Sequence, residues 1–176
     1  MDALPQMLEA LASEKLDLTK VNMALALAVL GNDAGMDALQ SGCQDRNWGA
    51  QARVEAAEYL TNLQPDSTVC LNALLELAET APTGYRIQAF SILAKLHDLS
   101  AEDSQRVFTA VMSSLQAAQP SLRIAASQAA KELGNIAAIP ELEKALTKEQ
   151  EDPVRFQMER DLAGLRGKRD RTTQEQ

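Results

Sequence analysis

The sequence predicts an all-α protein, an α-solenoid of about five antiparallel helix pairs, on three observations. A cation recurs at nearly even intervals, at Lys20, Arg53, Arg86, Arg123 and Arg155, with separations of 33, 33, 37 and 32 residues. A period of this length marks stacked helical units, each too small to bury its own apolar face alone. Aligning the units on the cation then brings apolar residues into register. One residue later stand Val21, Val54, Ile87, Ile124 and Phe156, and seven later Leu27, Leu60, Leu93, Ala130 and Leu162. Ten later come Leu30, Leu63, Leu96, Leu133 and Leu165. Finally, the chain is 45% hydrophobic but only 3% aromatic, and no stretch alternates apolar and polar residues as a half-buried strand would. Helices that approach through small side chains fit that composition.

Each unit reads as an A helix followed by a B helix that opens at the repeated cation. The expected A helices are Leu4 to Ser13, Ala34 to Cys43, Thr68 to Glu79, Glu102 to Ala117 and Ile136 to Lys148. The expected B helices are Thr19 to Leu30, Ala50 to Leu63, Gly84 to Leu96, Ser121 to Leu133 and Pro153 to Leu165. Punctuation agrees: Gly31 and Gly134 follow closing leucines, while Pro82, Pro120 and Pro153 precede or open B helices, where a missing N–H costs little. Residues 1–165 therefore form one repeat domain. Residues 166–176 contain a single stretch, Gly167 to Gln176, without an apolar side chain and are expected to be a disordered tail.

The closest copies of one pattern are Ala52-Arg53-Val54-Glu55-Ala56-Ala57-Glu58-Tyr59-Leu60, Leu122-Arg123-Ile124-Ala125-Ala126 with Glu132-Leu133-Gly134, and Asp152-Pro153-Val154-Arg155. These resemble the HEAT-repeat superfamily, especially its short form named after phycobilisome lyases. The resemblance implies a superhelix with B helices on the concave side, and turn aspartates that bond the arginines of neighbouring units. Asp17, Asp45 and Asp152 stand where such partners belong. Arg86 and Arg123 lack a preceding aspartate, so carbonyl oxygens are expected to cap those two guanidiniums.

Net charge is −8, and residues 166–176 hold four basic and two acidic side chains, so the repeat body is more acidic still. An acidic body is repelled by phosphate backbones, which argues against nucleic acid as a partner. The opening Met1-Asp2-Ala3-Leu4-Pro5 lacks the basic start and apolar core of a secretory signal, and no apolar run suits a membrane span. A cytoplasmic protein is expected. Cys43 and Cys70 lie on different predicted helices without neighbouring metal-ligand residues; they read first as buried small hydrophobes, with a disulfide or redox pair as the alternative.

Chemistry has few footholds. The one histidine, His97, sits at the end of a predicted B helix, and no phosphate-binding, zinc-protease or nucleophile-elbow motif occurs. Pairs such as Glu55 with Glu58 have the spacing of a solvated helix face. No catalytic residue, cofactor or metal is assigned, and the chain is expected not to be an enzyme.

Helical geometry places the residues two, five and nine after each cation opposite the core. Across the stack these are Asn22, Leu25 and Val29; Glu55, Glu58 and Asn62; Gln88, Ser91 and Lys95; Ala125, Gln128 and Glu132; and Gln157, Arg160 and Gly164. This mixed polar face is the candidate surface for another protein or peptide segment, with simple solvation as the alternative. Leu25 and Val29 make the first B helix apolar almost all round, which suits self-association through the N-terminal unit, the apolar anchor of a partner, or burial beneath that unit. Trp48, in a turn, reads as an interface anchor or as a cover over the gap between units. The function expected is a non-catalytic scaffold or adaptor for protein binding. The alternative that the resemblance allows is a subunit of a bilin-lyase-type enzyme or chaperone complex.

Overall fold

A computed structural model describes residues 3–174; the expectations for Met1, Asp2, Glu175 and Gln176 lie outside the described residues. The helices are α1 (Leu4–Ser13), α2 (Asp17–Val29), α3 (Asp33–Gln44), α4 (Ala50–Leu63), α5 (Leu71–Thr80), α6 (Thr83–Leu93), α7 (Ala101–Ser113), α8 (Pro120–Leu133), α9 (Ala138–Leu146) and α10 (Asp152–Gln174). A short 3-10 turn, Ser114–Gln116, extends α7. Among the described residues there is no strand, and the elements form the five pairs expected. The even-numbered helices pack in sequence, α2 on α4, α4 on α6, α6 on α8 and α8 on α10. On the other side α3 meets α5 and α5 meets α7, which gives a two-layer α-solenoid.

Why the cations recur is clear from the backbone around them. Arg53 Nε donates to Cys43 O (3.2 Å), Arg86 Nε to Ala78 O (2.8 Å), Arg123 Nη1 to Ala117 O (2.9 Å) and Arg155 Nη2 to Glu149 O (2.7 Å). Each guanidinium thus caps carbonyls at or just past the end of the preceding A helix, where the helix leaves acceptors unpaired and its dipole favours positive charge. The arginine pins the corner between the two helices of its own unit.

Burial along the B helices shows which side faces which neighbour. The position seven residues after the cation is buried in every unit, from Leu27 (0%) to Leu162 (5%). The position one residue after it is buried at Val21 (1%) yet exposed at Phe156 (66%). The position ten residues after it does the opposite, with Leu30 at 67% and Leu165 at 0%. These two positions lie on opposite flanks of a helix. One flank therefore meets the following unit and the other the preceding unit, and each end of the array leaves one flank bare.

Close approach needs small residues at two places. A Cβ on Gly35, in α3, would lie 2.5 Å from Ala24 O and 2.8 Å from Leu27 Cβ, so α2 and α3 touch backbone to backbone there. A Cβ on Gly42 would lie 2.6 Å from Cζ3 of Trp48, whose ring lies over α3. Lys20 Nζ lies 5.9 Å from the centroid of the same ring, so Trp48 covers the junction of the first two units.

Two expectations are corrected. Cys43 and Cys70 are not separate thiols: they form a disulfide, with Cα atoms 5.8 Å apart, because the last turn of α3 faces the N-cap of α5 in the next unit. The segment expected as a disordered tail is helical as far as Gln174, continuous with α10. Contacts hold its start, since Arg166 Nη2 donates to Glu143 Oε1 (2.6 Å) and Lys168 Nζ to Lys131 O (3.2 Å).

Candidate partner-binding site

On the B-helix face Asn62, Gln88, Ser91, Lys95, Gln128, Glu132 and Arg160 are exposed, and Glu55, Glu58 and Leu25 are half-buried. Val29 is 66% exposed, whereas Ala125, expected on that face, is buried at 7%. Glu55 accepts from Gln51 Nε2 (2.9 Å) one turn earlier. At the N-terminal unit α1 has no buried residue, and Ala3, Met7, Ala10, Met23 and Ala26 border an open groove against α2.

The turn aspartates Asp17, Asp45 and Asp152 do other work. Asp17 Oδ2 accepts from Gly49 N (3.1 Å), and Asp45 Oδ1 accepts from the backbone and side-chain nitrogens of Asn47 (2.9 Å each). Asp152 opens α10, where a negative charge suits the helix dipole. Among the described residues none of the three bonds a guanidinium: Asp45 is taken up by Asn47 in its own turn, and Asp17 reaches the next unit but is taken there by the backbone N–H of Gly49. The acidic partners are glutamates that the repeat pattern does not single out. Glu149 Oε2 and Oε1 accept from Arg123 Nε (2.6 Å) and Nη2 (2.9 Å), joining the fourth unit to the fifth. Arg123 thus has a carboxylate besides its carbonyls. Glu76 Oε2 meets Arg53 Nη2 (3.5 Å) and Arg46 Nη2 (3.0 Å), joining the second unit to the third.

These pairings set the local electrostatics. The hydrogen bond from Arg123 outweighs burial and holds the Glu149 carboxyl below the usual carboxylate range, with help from the N–H groups of Glu151 and Gln150. Burial would raise Glu76, but its bonds and charge contacts with Arg53 and Arg46 bring it down as well. A third carboxylate, Asp161, is completely buried between α8 and α10. Its Oδ2 accepts from Ser127 Oγ and Gln157 Nε2 (2.8 Å each), and Lys131 Nζ lies 3.6 Å from Oδ1. Nothing in the sequence marked Asp161, except that it breaks a run of apolar and aromatic residues at the equivalent position of other units.

A groove of about 860 Å³ lies on the other layer of the array, lined chiefly by α5 and α7. Its floor and walls include Asn72, Glu76 and Glu79 from α5 and Gln105, Thr109 and Ser113 from α7. Four arginines are among its lining residues, Arg46, Arg86, Arg106 and the buried Arg53. No candidate residue of the B-helix face lines this groove; of the recurring cations Arg53 and Arg86 do. Arg46 and Arg106 could not be found from the period, since they lie outside the repeated position. Among the described residues no group of three or more His, Cys, Asp or Glu side chains is placed to hold a metal ion. No described helix is long and apolar enough to cross a membrane.

The fold defines a class, the helical-repeat arrays. No known protein family's sequence profile matches the chain, and no curated protein matches it in sequence. Among solved structures it is similar to a chain in the complex of CpcE and CpcF of phycocyanin lyase from Nostoc sp. PCC7120. The two share 22% identity with a TM-score of 0.63, over 90% of this chain and 97% of that one. At that identity the likeness concerns the fold.

Proposed function

We propose that this chain is a binding subunit of a two-protein assembly of the phycocyanin-lyase kind, and that it recognises another protein through the side of its helical array. The observation that carries this reading is the near end-to-end match to a chain that itself belongs to a protein–protein complex. A solenoid of this size supports it, because stacking five small units creates long lateral surfaces without an enclosed chamber for chemistry. The four-arginine groove is the surface best built for such contact. In this reading catalysis is a property of the assembly, and the isolated chain contributes recognition.

A bilin chromophore and its apoprotein, incubated with the chain alone and with its purified complex, test the proposal. A covalent, visibly absorbing adduct formed only by the complex is the expected result. Adduct formation by the isolated chain would overturn the division of labour. A stable complex that never forms the adduct would favour the free-standing adaptor instead.

A further inference from the structure

We infer that the groove between α5 and α7 is a receptor for a short acidic segment of the partner protein. This rests on the subunit reading above and adds the chemistry of the contact. In a chain of net charge −8, the groove gathers four arginines against two glutamates, Glu76 and Glu79. It is a basic basin on an acidic protein, so field lines from an acidic segment converge there.

The four guanidiniums are unequally engaged. Arg53 and Arg46 share Glu76, and Arg106 donates from Nη1 to Asp103 Oδ1 (2.9 Å) and from Nη2 to Asn72 Oδ1 (2.6 Å). Arg86 spends only Nε, on Ala78 O. Its two terminal nitrogens have no acceptor among the described residues, yet the guanidinium is held in place by the cap it makes. A fixed fork of two parallel N–H donors is the geometry that takes a carboxylate in bidentate fashion. Glu79, on the same wall, makes no hydrogen bond or ion pair among the described residues. The groove therefore presents a ready donor pair and a ready acceptor.

A peptide supplies both complements at once, a side-chain carboxylate for Arg86 and a backbone N–H for Glu79. Phosphate offers the groove no backbone N–H for Glu79, and its charge of about −1.5 or more at neutral pH is packed on one centre that would sit close to Glu76 and Glu79. Gln105, Thr109 and Ser113 recur every four residues along α7; the two hydroxyls donate to Gln105 O and Ala110 O, so this row on the groove wall offers oxygen acceptors to a peptide's N–H groups. The chain's own C-terminal segment is excluded as occupant by its charge, since it is basic.

The test is a two-dimensional amide NMR titration of the full chain with a short capped glutamate-rich peptide, its glutamine analogue and inorganic phosphate. Shifts confined to the groove, on α5, α7 and around Arg46, Arg53 and Arg86, produced by the glutamate peptide and weakened by salt, are expected. Arg86→Gln should weaken the affinity by about tenfold or more, the loss of one bidentate charged contact. Because Arg86 also caps a helix, Arg106→Glu serves as the second variant: its side chain is 43% exposed, and it should weaken binding without unfolding the chain. Equal response to the glutamine peptide or to phosphate, shifts on the B-helix face, no response in the groove, or unchanged affinity in Arg106→Glu would overturn the inference. A native complex that assembles normally with Arg106→Glu would also overturn the groove, and would leave the subunit reading intact.

Discussion

Arg123 and Glu149 are 26 residues apart in the chain and face each other squarely, Nε to Oε2 at 2.6 Å and Nη2 to Oε1 at 2.9 Å. The same guanidinium holds Ala117 O and Ala118 O, so one side chain closes the corner of its own unit and ties that unit to the next. Glu149 is 4% exposed and Arg123 13%, which removes most of the solvent screening that makes surface pairs weak.

Glu149→Gln should therefore cost about 1.5 to 3 kcal/mol at neutral pH, the worth of a charged hydrogen bond. The native carboxyl titrates below its unfolded value, so its contribution is complete above the unfolded value and is lost as pH falls through the native one. Urea unfolding at pH 7 and at about pH 3 checks this. The wild type should lose more stability on acidification than Glu149→Gln does, because the variant has no proton to bind there.

Gly35→Ala forces a methyl group onto the backbone of α2, where neither helix can yield without separating. A loss of about 1 to 3 kcal/mol or more is expected. Gly84, near the start of α6, has nothing within 4 Å of its notional Cβ. Gly84→Ala should leave the protein unchanged or gain about 0.4 to 1 kcal/mol. Paired thermal melts compare the two.

The Cys43–Cys70 bond closes a loop of 27 residues across the second and third units. Loop-closure entropy gives it about 3 to 4 kcal/mol, on the chain-entropy model. Reduction, or the double substitution by alanine, should lower the unfolding free energy from denaturant titration by that amount, and added reductant should then have no effect on the alanine variant. Mass analysis after alkylation of freshly isolated protein should find both cysteines protected.

Leu93→Ala removes a completely buried side chain at the centre of the array and should cost about 2 to 5 kcal/mol. Phe156→Ala removes a larger side chain that is 66% exposed on the terminal flank, and should cost much less. The comparison, by urea unfolding, tests whether burial follows position in the stack and not residue type.

The repeat period revealed the helix pairs because each B helix must bury the same stripe, and Leu27, Leu60 and Leu93 recur for that reason. The period could not tell which flank ends up bare, as Phe156 and Leu30 do, since that depends on where the array stops. Contacts between units were harder to read. Glu76 lies on an A helix and Glu149 in a turn, at non-equivalent places, so no register points to them, whereas Asp45 serves its own turn and Asp17 the backbone N–H of Gly49 in the next unit. The disulfide was hidden for a similar reason: Cys43 and Cys70 occupy different positions in their units, and only the offset between neighbouring A helices brings them together. The groove lies on the layer of odd-numbered helices, away from the B-helix face, and its free fork at Arg86 is visible only once Ala78 O is seen to take the other nitrogen.

Native mass measurement of the chain, purified gently from its own cells and compared with Arg106→Glu purified in the same way, tests the proposed role most directly. The wild-type chain should appear at the mass of a stoichiometric complex with a second protein, and the variant should appear largely as the free subunit. A wild-type chain recovered only at its own mass, with no second protein bound, would contradict the account.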